Sequence, residues 1–121
     1  MKIDFSQALV KLAITLSAAA AAAQSFPTKP IRMVITYPPG GNADLVGRAV
    51  AGKLAELIGQ PVVVDNRGGA GGVLGTMITA QSAPDGYTIM LGTSAGMVVT
   101  PLLSSKLPYD ALNDFVPVSR G

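Results

Sequence analysis

Two glycine-bearing turns have the composition to hold an anion. The first is Pro38-Pro39-Gly40-Gly41-Asn42-Ala43-Asp44, and the second is Gly92-Thr93-Ser94-Ala95-Gly96. An apolar, β-branched run, Ile31 to Tyr37, leads into the first, and a helical pattern leaves it at about Asn42. Backbone N–H groups at a helix start lack intrahelical partners, and the helix dipole favours negative charge there. The prolines donate nothing, so donation falls to Gly40, Gly41, Asn42 and Ala43. Asp44 reads as a first-turn acid set against the dipole, since a carboxylate facing the anion would repel it.

The second turn matches G-x-S-x-G and lies between a strand and a helix, the setting of a nucleophile elbow. Ser94 would need a base, and the chain has no histidine. Thr93 and Ser94 serve equally as neutral hydroxyl donors to a carboxylate. A third glycine run, Asn66 to Gly72, fails the dinucleotide test because Leu74 stands where G-x-G-x-x-G needs glycine. It reads as a connection with close backbone packing. There is no cysteine, no metal-ligand spacing and no paired-carboxylate pattern, so neither a cofactor nor a metal is expected. Lys29, Arg32, Arg48, Lys53, Arg67, Lys106 and Arg120 are scattered, which argues against nucleic acid as a partner.

These turns need elements to position them. Residues 1–23 read as a cleavable signal peptide: Lys2 gives a positive start, Leu12 to Ala23 is apolar but too short to span a bilayer, and Ala21-Ala22-Ala23 offers a cleavage site. Strands are expected at Ile31 to Tyr37, Val62 to Val64, Tyr87 to Leu91 and, at its beginning only, Phe115 to Val118. Helices are expected at Asn42 to Ile58, Val73 to Ala83 and Met97 to Leu103. Leu45, Val46, Ala49, Val50, Leu54, Leu57 and Ile58 form the expected buried stripe of the first helix, which Gly59 and Pro61 end. The continuous Val62-Val63-Val64 run suits a strand buried on both faces.

The order is β-α-β-α-β-α with parallel strands. Right-handed crossovers to opposite faces put strand one between strands two and three. The turns after strands one and three then adjoin at a topological switch point, where open α/β sheets bind ligands.

Four blocks, KPIRMVITYPPGGNAD, GQPVVVDNRGGAGG, APDGYTIMLGTSAG and LPYDALNDFVPVS, resemble the Bug family of periplasmic solute-binding receptors of tripartite tricarboxylate transporters. The resemblance runs from about Phe26 to the end of the chain. It implies a type II periplasmic binding fold, with residues 24–121 as part of the first of two lobes and the second lobe missing from this stretch. It implies a non-enzymatic receptor, monomeric when full length, that presents a small carboxylate to a membrane permease. Carried over residue by residue, it places Pro38, Pro39, Gly40, Gly41, Asn42, Ala43 and Asp44, with Gly92, Thr93, Ser94 and Ala95, around the ligand carboxylate. The glycines of Asn66 to Gly72 would face the cleft side. A serine hydrolase using Ser94, or a non-functional fragment, are the alternative readings.

Overall fold

The computed structural model describes residues 26–119; the expected signal peptide lies outside them. Strands β1 (Ile31–Ile35), β2 (Val62–Asn66) and β3 (Thr88–Leu91) form one sheet in the order β2-β1-β3. Both pairings are parallel, with Ile35 opposite Asn66 on one side and Leu91 on the other. The expected sheet order is therefore the observed one. Helices α1 (Asn42–Ile58), α2 (Val73–Ala80) and α3 (Thr100–Leu103) complete the described chain, with a 3₁₀ turn at Ala70–Gly72 and a π-helical turn at Ala95–Val99.

β1 is the core. Ile31, Met33, Val34, Ile35 and Thr36 are all buried, so both faces of this strand are covered. Two glycines bring the covering helices close. A Cβ on Gly47 of α1 would overlap Ile35 Cδ1. A Cβ on Gly75 of α2 would stand 2.8 Å from the Arg67 carbonyl and 2.9 Å from Thr36 Cγ2. Successive strand residues point to opposite faces. Ile35 against Gly47 and Thr36 against Gly75 therefore place α1 and α2 on opposite sides of the sheet, as right-handed crossovers require.

α1 ends where expected: Gly59 is left-handed (φ 68°) and its N–H returns to the Ala55 carbonyl at 3.0 Å. Its buried stripe is not the expected one. Asp44, Gly47 and Ala51 face the sheet, while Leu45, Val46, Val50 and Leu57 are exposed. Leu54 and Ile58 of the expected stripe are half-buried beside Ala51, and the rest of the apolar pattern misleads because close approach to β1 selects small residues rather than large ones. β2 is likewise not buried on both faces. It is an edge strand whose Val63 is 54% exposed, because α2 lies over β1 and β3.

β1 stops at Ile35, two residues before Tyr37; β2 runs on to Asn66; α2 stops at Ala80, short of Ala83. Phe115 to Val118 forms no strand, and Val116 and Val118 are exposed. The segment after α3 is held instead by buried Tyr109, whose hydroxyl donates to the Gly96 carbonyl. Burial pushes that hydroxyl's pKa above its ordinary value.

The two helices respond oppositely to an added methyl group. Gly75→Ala forces backbone apart and should lower stability by about 1–3 kcal/mol. Gly52→Ala in α1 meets open space and should raise it by about 0.5–1 kcal/mol through helix propensity. Urea unfolding of the two variants checks both signs.

Candidate functional site

The last residues of β1 and β3 are neighbours, so the turns that follow them leave the same end of the sheet. Thr36, completely buried just past β1, lies with its hydroxyl oxygen 3.4 Å from that of Thr93. Pro39, Gly40, Gly41 and Asn42 on one side, and Gly92 and Ser94 on the other, are exposed along this rim, with Ala43, Thr93 and Ala95 half-buried behind them. Sequence order alone had placed these turns together, and the coordinates bring them together.

α1 begins without a side-chain cap. Its N-cap, Gly41, is extended (φ −86°, ψ 175°), and its carbonyl accepts from the Leu45 N–H at 3.0 Å. The amides of the first turn are therefore those without intrahelical acceptors. Gly40 differs from its neighbours. Its N–H donates to Asp44 Oδ2 at 2.9 Å, which removes Gly40 from the expected set of unpaired donors.

Asp44 is the polar centre behind the turn, 4% exposed. Besides the Gly40 amide, its carboxylate accepts from Arg48 Nε at 3.0 Å and from Asn66 Nδ2 at 3.0 Å. These bonds hold its pKa down, from the ordinary 3.8 to about 2, with Arg48 contributing most, then Gly40, then Asn66; burial opposes them. Besides standing in the first turn of α1, it organises three neighbours.

The loop after β2 packs behind the first turn. A Cβ on Gly68 would come within 2.8 Å of Pro38 Cδ, and Asn66 Nδ2 also donates to the Tyr37 carbonyl at 3.1 Å. Asn66 was not anticipated. Its partners lie 18, 22 and 29 residues away in sequence, so no local spacing announces them. Asp65 beside it pairs with Arg32 Nε and Arg67 Nε, both at 2.8 Å. Burial pushes the Asp65 carboxyl up, and the two guanidiniums outweigh that and hold it low.

Ser94 has ordinary helical backbone angles (φ −57°, ψ −33°), not the strained geometry of a nucleophile elbow. Among the described residues no group of three or more acidic side chains could hold a metal ion. No helix there is long and apolar enough to cross a membrane. A concavity of about 360 Å³ lined by Arg32, Val63, Asp65 and Arg67 lies over β2 rather than at the rim.

Residues 46–120 match the model of the tripartite tricarboxylate transporter family receptor. The chain is 48% identical over 103 residues to protein BugT of Bordetella pertussis, covering 84% of this chain and 32% of that protein. It superposes on the periplasmic binding protein BugD with a TM-score of 0.73 and 38% identity, covering 77% of this chain and 31% of BugD. MatC from Rhodopseudomonas palustris, solved with bound malate, gives the same TM-score at 35% identity over 77% of this chain and 32% of MatC. An R. palustris protein solved with adipate gives 0.73 at 34% identity, covering 77% and 31%. The chain spans about a third of the length of the curated relatives it matches.

The depressed Asp44 pKa has a signed consequence. Its contribution to folding is complete above the ordinary value of 3.8 and is lost as pH falls toward about 2. The stability advantage of the wild type over Asp44→Asn should therefore hold at neutral pH and shrink across that acid window. Urea midpoints of both proteins, measured against pH, check this.

Proposed function

This chain belongs to the tripartite tricarboxylate transporter receptor family, and on that premise we propose that it is the carboxylate-gripping part of a periplasmic receptor. The solute is a small organic acid, held with no bond made or broken and presented to a membrane permease. Residues 1–23 direct export and residues 24–121 belong to the first lobe; the full-length receptor acts as a monomer. The observation that carries this reading is the meeting of the β1 and β3 turns at one end of a parallel sheet. A switch point of that kind is where open α/β sheets take ligands.

In this reading Pro39, Gly40, Gly41, Asn42 and Ala43 form one side of the grip and Gly92, Thr93, Ser94 and Ala95 the other. The amides of Gly41, Asn42 and Ala43 and the hydroxyls of Thr93 and Ser94 donate. Asp44 stands behind them. Malate and adipate, the acids bound by two similar proteins, both carry carboxylates at each end. That supports a grip on one carboxylate with selectivity arising from the rest of the cleft. Closure around a solute takes two lobes in hinged receptors, so this stretch alone grips weakly.

Calorimetric titration of the 121-residue chain with malate, adipate, citrate and glutamate should give binding weaker than micromolar. Micromolar binding would show that a second wall is not needed. Because no lysine or arginine lies in either turn, the affinity of a full-length receptor with these turns should change little between low and high salt. A steep loss would point to a cationic clamp instead. Ser94→Ala should weaken affinity modestly.

A further inference from the structure

We infer that Asp44 and Asn66 are positioning residues of the solute site: a carboxylate–carboxamide latch, steadied by Arg48, that fixes the Pro38–Gly41 turn without either side chain touching the solute. This rests on the reading of the rim as a carboxylate site.

The latch brackets the turn. At its start the Tyr37 carbonyl accepts from Asn66 Nδ2 at 3.1 Å; at its end the Gly40 N–H donates to Asp44 Oδ2 at 2.9 Å. Between them stand Pro38 and Pro39, which have fixed φ and no N–H to anchor them. The two brackets are joined, because the same Asn66 Nδ2 donates to Asp44 Oδ1 at 3.0 Å. Arg48 closes the ring, with Nε on Asp44 Oδ2 at 3.0 Å and Nη2 on Asn66 Oδ1 at 3.2 Å. Asp44 is thus buried with both oxygens engaged by donors of the protein itself. Its negative charge is spent on Arg48 and two N–H groups rather than aimed at an incoming anion.

The latch also ties the loop after β2 to the rim. Asn66 ends β2 opposite Ile35, so any shift of the turn pulls on the sheet edge. A rigid turn presents the Gly41, Asn42 and Ala43 amides in one fixed fan, which lowers the ordering cost of binding.

The two possible roles of Asp44 predict opposite signs. If its charge merely faces the site, removing it relieves repulsion and tightens anion binding. If it positions the turn, removing it weakens binding. The test uses the isotopically labelled 121-residue chain, with amide hydrogen exchange and malate-induced amide shifts as readouts. Asp44→Ala should speed Gly40 amide exchange at least tenfold while the β1 amides stay protected, a local release that global destabilisation would not produce. Asp44→Ala and Asn66→Ala should each weaken malate binding at least fivefold, and the double variant should be little worse than the stronger single one. Tighter binding by Asp44→Ala, fully multiplicative losses, or unchanged Gly40 exchange would overturn the latch. Should Asp44→Ala fail to fold, Asn66→Ala, at a half-buried position, carries the test: the latch requires faster Gly40 exchange and weaker binding there too. A wild-type chain whose amides ignore malate would overturn the site reading, and Gly40 exchange would still decide the latch.

Discussion

Two close approaches at the end of β1 govern the rest of the structure: Ile35 against Gly47 on one face and Thr36 against Gly75 on the other. They set how near each helix lies to the central strand. They also place the start of α1 and the loop before α2 on either side of the residue where β1 ends. Thr36 sits at the crossing, fully buried and within reach of the Thr93 hydroxyl. A methyl group at Gly75 would press on the backbone of Arg67 and Thr36, and one at Gly47 would displace the Ile35 side chain. Packing in the core and geometry at the surface are here one constraint.

The electrostatics follow from that placement. A helix start offers amides, and an acidic first turn would ordinarily compete with an anion for them. Asp44 avoids the competition by turning inward to Gly40, Arg48 and Asn66. The rim is left with neutral donors and no facing charge from either turn. Such a surface offers main-chain amides and hydroxyls rather than a cationic side chain.

Much of this was legible in the amino-acid order. The glycine–proline punctuation located the turns. The β-α-β-α-β alternation with right-handed crossovers yielded the sheet order, and Gly59 marked the end of α1. Burial along α1 was not legible, because the helix lies so close to β1 that glycine and alanine face inward, and hydrophobicity follows size. Val63 misled for a related reason: a run of valines suggests cover on both sides, but α2 lies over the other two strands. Phe115 to Val118 has strand composition without a strand partner among the described residues. Asn66 could not be found, because its bonds to Tyr37 and Asp44 exist only once β2 lies beside β1.

The Gly41 end of α1 carries no capping side chain, and this bears on how such a rim can change over generations. Main-chain amides are not encoded by the identity of the residue that bears them. Substitution of Asn42 or Ala43 by any residue but proline therefore alters the shape and greasiness of this surface while leaving the main-chain donors themselves intact. The heritable vulnerability sits inside, at Gly47, Gly75, Asp44 and Asn66, where a single codon change displaces the scaffold that aims those donors.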